Sequence, residues 1–333
     1  MRIGTIAVLV VSGVVALEAA GVDVPTGFDR SYNQALTRAS KDNKPLFVYF
    51  AVDKSDLCRR FEQEILADAK NRQALEPLVA VCLDCSPGAE ERNINRELLE
   101  KHGGAGYPFF LLLAPDGAVL DAWTGYASGK DFVPRILEAR KKFDRYNEFQ
   151  ERAKTVEPDD FRFHLEAMDL YASTRQWVKM EVAAGEVIRL DRDRAYLSRV
   201  RLAQLQAARA TKNARAVDGL VAEIRTLDPR NTEHHLEVAL KEHADSLMLQ
   251  MTTRTLDPQY KKAHAILVER AALENLCDPL QARVDIALLQ ANYGRYKDAR
   301  LTLEILLAEH SDIAATAHLR PLLQRIRQME NRK

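Results

Sequence analysis

From Phe28 onward, short apolar runs alternate with stretches of helical spacing. Residues 28–43 put Ala35, Leu36 and Ala39 on one helical face, and Asn43-Lys44-Pro45 closes that segment. Pro45 to Val52 is a short apolar, β-rich run, the pattern of a strand buried on both faces. A helix is expected over 56–69, with Phe61, Ile65 and Leu66 at helical spacing, and a second strand over 78–83. A polar stretch leads to a helix over 93–101. Residues 109–113 and 118–123 then read as two strands joined by Ala114-Pro115-Asp116-Gly117, because Pro-Asp-Gly presets a turn. A helix over 130–143 ends this half. The order helix, strand, helix, strand, helix, strand, strand, helix implies an α/β domain with a mixed central sheet and helices on both faces.

After Arg145 the strand signals stop, and Ala, Leu, Arg and Glu dominate at helical spacing. Glu157-Pro158-Asp159-Asp160 suits a helix start. Leu227-Asp228-Pro229 and Leu256-Asp257-Pro258 read as stops between helices. At 333 residues the chain is long enough for two cores, which divide it into an α/β domain over 28–143 and an all-α array of helical hairpins over 150–330.

The first residues follow another rule. Arg2 precedes an apolar run from Ile3 to Leu17, followed by Ala19-Ala20-Gly21, which is the layout of a secretory signal peptide over 1–21. The run is shorter than the roughly 20 residues a spanning helix needs, which favours cleavage near Ala20 or Gly21 over retention as an anchor. The expectation is therefore an exported, periplasmic protein with no membrane insertion after cleavage, a signal-anchored form being the alternative. Lys plus Arg and Asp plus Glu both total 48, so no global charge excess draws the chain to nucleic acid. Export would let disulfides persist among Cys58, Cys82, Cys85 and Cys277.

The run from Phe50 to Phe61, reading Phe-Ala-Val-Asp-Lys-Ser-Asp-Leu-Cys-Arg-Arg-Phe, resembles the strand-to-helix turn of thioredoxin-like proteins. In that family an aromatic residue ends the strand, the attacking cysteine follows five positions later and the resolving cysteine three after that. The register puts Ser55 in the attacking place and Cys58 in the resolving place. Cys58 to Leu66 is similar to the helix that follows. Gly106-Tyr107-Pro108, with 109–113 and Pro115-Asp116-Gly117, resembles the cis-proline loop and hairpin. The helical half is similar, more faintly, to tetratricopeptide repeats, with Gly294, Tyr296, Ala299, Leu303 and Leu306 at the places of a second repeat helix and Ile286 and Ala287 at those of a first.

The resemblance implies a thioredoxin-like fold, and it also locates the departure from thiol–disulfide chemistry. That chemistry needs an exposed thiolate to attack and a second thiol to resolve. Ser55 suits the cap of the following helix and has no histidine nearby in sequence to activate it. Cys58 reads either as a thiol kept for packing or as a monothiol capable of mixed disulfides. Cys82 and Cys85 have dithiol spacing, but at the end of a strand, where a disulfide requires the chain to turn after Asp84. No second pair of ligands accompanies them, so no metal or cofactor is expected, and Cys277 and the pair His234-His235 have no evident partner or ligand spacing. By the family resemblance, Tyr107 and Pro108 are the residues expected to hold an extended peptide. The leading expectation is a non-enzymatic module that binds a polypeptide or unfolded protein. The alternative is a thiol-disulfide oxidoreductase or thiol-dependent chaperone using Cys58 alone or Cys82 and Cys85 as a displaced pair.

Overall fold

A computed structural model of the chain describes residues 22–88, 90–249, 256–310 and 316–331. Residues 1–21, expected to be a signal peptide, lie outside them. The chain divides into two compact units between Lys154 and Thr155.

The first unit is built on a four-stranded sheet, β1 (Leu46–Ala51), β2 (Val79–Asp84), β3 (Phe109–Leu113) and β4 (Val119–Thr124), in spatial order β2-β1-β3-β4. β1 runs parallel to β2, while β1 with β3 and β3 with β4 are antiparallel. All six residues of β1 are fully buried. One face, carrying Val48, Phe50, Val81, Leu83 and Leu111, packs against Ala35 and Ala39 of α1 (Tyr32–Asp42) and Leu99 of α4 (Glu90–Lys101). The other carries an aromatic cluster. There Phe61, at the end of α2 (Asp56–Phe61), meets the rings of Tyr49 at 4.8 Å, Phe110 at 4.7 Å and Phe132 at 5.1 Å, the last on α5 (Gly129–Arg152). Each such burial contributes roughly 1.5–3 kcal/mol, and each tilted ring pair about 0.5–1.5 kcal/mol more.

The helix expected over 130–143 runs on to Arg152, and two further elements differ in detail. The first helix begins at Tyr32, not 28, because the main chain of Asp29 bridges to β2: its N–H donates to Ala80 O at 2.8 Å and its C=O accepts from Cys82 N at 3.0 Å. The helix expected over 56–69 is interrupted. α2 passes into a π turn over Glu62–Leu66, and Asp68 then caps the short α3 (Ala69–Arg72) by accepting from Asn71 N at 2.9 Å.

The second unit is helical: α6 (Phe161–Ser173), α7 (Trp177–Leu190), α8 (Leu197–Ala210), α9 (Ala214–Leu227), α10 (His235–Leu249), α11 (Leu256–Ala271), α12 (Pro279–Asn292), α13 (Tyr296–Glu309) and α14 (Leu319–Glu330). Three of its hairpin turns share one geometry. Arg175, Lys212 and Gly294 each have a positive φ, and the next residue donates back over the helix end: Gln176 N to Tyr171 O, Asn213 N to Ala208 O and Arg295 N to Gln290 O. Asp160 caps α6 by accepting from Phe163 N. The stop expected at Leu256-Asp257-Pro258 is instead the first turn of α11, since the fixed φ of proline and its missing N–H suit a helix start.

Candidate functional site

β1 delivers the chain to the motif, and the turn after it is held by local polar bonds. Lys54 sits in the left-handed region at φ 63°, and Asp53 N donates to Ser86 Oγ at 2.9 Å. Ser55 has extended backbone and caps α2, its Oγ accepting from Cys58 N at 3.3 Å. No histidine among the described residues hydrogen-bonds to Ser55. Cys58 lies on the first turn and is 2% exposed. Its thiol is close enough to the phenol of Tyr49 to bear on it, and the Tyr49 hydroxyl donates to Glu62 Oε1 at 2.9 Å. Burial pushes the Tyr49 phenol far up, and the nearby Cys58 and Glu62 add to the effect. Burial also raises the Glu62 carboxyl, outweighing the Tyr49 hydrogen bond.

Cys82 and Cys85 do not form the disulfide considered from their spacing; both are buried free thiols. The reason is the pleat. Cys85 shares its sheet face with Val81 and Leu83, against α1 and α4, while Cys82 lies on the other face, close enough to Cys58 and Glu62 for their charges to bear on it. Burial raises both thiols, Cys85 to about 12. Neither supplies thiolate readily near neutral pH.

Cys85 instead lies near the phenol of Tyr107, close enough for each to shift the other. The bond Tyr107-Pro108 is cis, and Gly125 N donates to Pro108 O at 2.7 Å, which ties the loop to the chain leaving β4. Small residues are required beside it. A Cβ on Gly104 would lie 2.5 Å from Leu99 Cγ, and one on Gly106 would lie 3.1 Å from Thr124 Cγ2. Next to Gly125 a cavity of about 400 Å³ opens between Leu57, Trp123, Tyr126, Phe132 and Arg135. Arg135 covers the Trp123 ring at 4.2 Å and pairs with Asp121 at 2.6 Å.

The structure thus joins Ser55 to Cys58 through a cap, brings Tyr107 beside Cys85, and ties Pro108 through Gly125 to the rim of a cavity of mixed polarity. Tyr49, Glu62, Cys85 as a partner of Tyr107, and the cavity were not legible as site residues. The one available signal was Tyr49, the polar tip in an otherwise apolar strand.

The first unit is a thioredoxin-like domain whose attacking position carries serine. Residues 32–140 match the family model described as a thioredoxin-like domain. Two similar solved structures are a DsbH oxidoreductase, 22% identical with a TM-score of 0.31 over 35% of this chain and 87% of that one, and a thioredoxin from Thermus thermophilus, also 22% identical with a TM-score of 0.31, over 35% and 90%. No curated protein matches the chain. No helix among the described residues is long and apolar enough to cross a membrane.

Proposed function

We propose that the chain is an exported thioredoxin-fold protein without dithiol redox activity, which binds extended polypeptide at the loop of Tyr107 and Pro108. The observation that carries this reading is the closure of the motif: Ser55 Oγ caps α2, and Cys58 is 2% exposed. A buried thiol facing no attacking partner has no dithiol cycle to complete. The displaced-pair alternative is disfavoured by the opposite faces of Cys82 and Cys85 and by the raised Cys85 thiol. Peptide binding is supported by the cis-proline loop beside a cavity lined by Phe132, Trp123, Tyr126 and Leu57 together with Asp131 and Arg135, a place for one side chain of a strand laid along the loop. Export is supported by the apolar run from Ile3 to Leu17 and the small residues after it.

The test uses permanently unfolded, alkylated lactalbumin as the probe. The protein is expected to bind it, with affinity reduced at least tenfold by Pro108→Ala or by Leu57→Asp, which charges the cavity wall. Insulin reduction is expected to show no turnover dependent on Cys58. Binding unaffected by both substitutions, or turnover lost in Cys58→Ala, would overturn the proposal.

A further inference from the structure

The helical unit holds a second constellation, unconnected in sequence spacing. α9 ends at Asp228, whose carboxylate accepts from Thr232 N at 2.7 Å, Glu233 N at 3.3 Å and His235 N at 3.1 Å, winding the loop that leads into α10. Asn231 inside that loop is fully buried. Its Nδ2 donates to Asn275 O at 2.5 Å and to Glu237 Oε2 at 3.3 Å, while its Oδ1 accepts from Glu237 N at 2.9 Å. Asn275 returns a bond to Arg230 O at 2.8 Å. The loop before α10 and the loop before α12 are therefore fastened together through one buried amide.

This fastening brings together three different ligand types. A ring nitrogen of His234, a carboxylate oxygen of Glu237 and Sγ of Cys277 all lie within 4.8 Å of one another. We propose that His234, Glu237 and Cys277 bind a divalent metal ion of the zinc class, with the fourth position left to water. Nitrogen, oxygen and sulfur donors converging on one point suit zinc, whereas calcium and magnesium take oxygen alone.

The environment of Glu237 supports the assignment. The residue is 4% exposed, and no Lys or Arg among the described residues forms an ion pair with it. Its one ionic neighbour is His234, Nδ1 to Oε1 at 3.8 Å. A buried carboxylate ordinarily requires a cation, which a metal would provide. Oε2 is already anchored by Asn231 Nδ2 and by Cys277 N at 3.1 Å, the outer-shell support that fixes a ligating carboxylate. The nearest arginine acting on Cys277 is Arg270, and it is committed to Asp285 at 2.7 Å. Nδ1 of His234 lies 3.1 Å from Asn275 O, and ligation through Nδ1 replaces that contact by the metal bond. Cys277 is exposed, so the ion has a direct route from solvent. On binding, the thiol proton passes to solvent and sulfur donates its electron pair to the metal; no oxidation state changes. Ligation requires the deprotonated thiol, so affinity is expected to fall as pH falls.

The experiment titrates the full chain, carrying no histidine tag, with Zn²⁺ in competition with a chromophoric chelator, and with Co²⁺ followed by absorption. One equivalent of Zn²⁺ should bind, and Co²⁺ should give a sulfur-to-metal charge-transfer band with the visible bands of a tetrahedral site. Cys277→Ser should abolish the charge-transfer band. His234→Ala should weaken Zn²⁺ by more than the roughly 10–100-fold that outer-shell changes cost. The exposed His318→Ala should change neither. Because Cys277 is exposed, its serine variant should keep the parent circular dichroism, so it decides the matter even where a His234 or Glu237 variant fails to fold. Absence of stoichiometric binding, or a charge-transfer band persisting in Cys277→Ser, overturns the assignment.

Discussion

Replacing Ser55 by cysteine tests whether the missing attacking thiol alone silences this domain. The change removes an α2 cap of 3.3 Å, at the long end of hydrogen-bond range, so the reduced variant should lose only about 0.5–1 kcal/mol. The new thiol would stand before the N-terminus of α2. The helix dipole favours its thiolate by about 0.3–1 kcal/mol, or roughly 0.2–0.7 of a pKa step. Arg59 adds little, because it is already paired with Asp56. The thiol would thus be somewhat more acidic than free cysteine, with Cys58 placed to resolve. In an insulin-reduction assay with a small thiol as electron donor, the parent protein should match Cys58→Ala. Ser55→Cys should gain turnover, and Ser55→Cys combined with Cys58→Ala should lose it. Two results would refute the reasoning. Turnover in the parent that disappears in Cys58→Ala would mean the buried thiol reacts alone, and no gain in Ser55→Cys would mean position 55 does not face the resolving thiol.

Other consequences follow from packing and charge. Gly104→Ala places a Cβ 2.5 and 2.6 Å from two atoms of the buried Leu99 and 3.1 Å from Phe109, so overpacking should cost about 1–3 kcal/mol in urea unfolding of the first unit; an unchanged midpoint would contradict that crowding. Phe61→Ala empties the centre of the aromatic cluster and should cost about 3–5 kcal/mol by the same measurement. Burial lowers His243 below its ordinary 6.5, outweighing the Asp218 carboxylate 2.8 Å from Nε2. A lowered histidine binds its proton more readily unfolded than folded. Its stabilising contribution is therefore present above about pH 6.5 and lost as pH falls through the window below it. The unfolding transition of the helical unit should weaken with acidification in that window, and less steeply in His243→Gln, as read by circular dichroism. His235, lowered for the same reason, contributes the residual slope.

The sheet was legible because β1, β2 and β3 are buried on both faces. Phe47, Val48, Tyr49 and Phe50 cannot sit elsewhere, and Phe109 to Leu113 repeat the pattern before a Pro-Asp-Gly turn. Helix ends were less legible, for reasons of single bonds. Nothing in the sequence shows that the main chain of Asp29 bridges to β2, or that Asp68 restarts a helix after a π turn. Pro258 illustrates the ambiguity of proline, which ends one helix and opens another with equal right. The register from Phe50 correctly placed Ser55 at the helix cap, since a cap is a local property. The partners of Cys85 and Glu237 were hidden because they come from distant segments. Tyr107 reaches Cys85 only when the proline loop folds back on β2, and Cys277 reaches Glu237 only when Asn231 fastens two loops.

The same contrast explains why a thioredoxin-like domain can lose one motif cysteine and retain the other. Ser55 and a cysteine at that position differ chiefly in chemistry, because the side chain lies at the cap, partly open to solvent, where either residue fits. Cys58 is different: its thiol is buried against Tyr49, and Tyr49 in turn holds the carboxyl of Glu62 at the start of the π turn. Removing the thiol leaves a void beside a phenol that is already fully buried, a packing cost that persists without any redox function. On the proposed reading, position 55 is free to vary, position 58 is held by the packing beneath it, and the binding function is to be sought at the proline loop and its cavity.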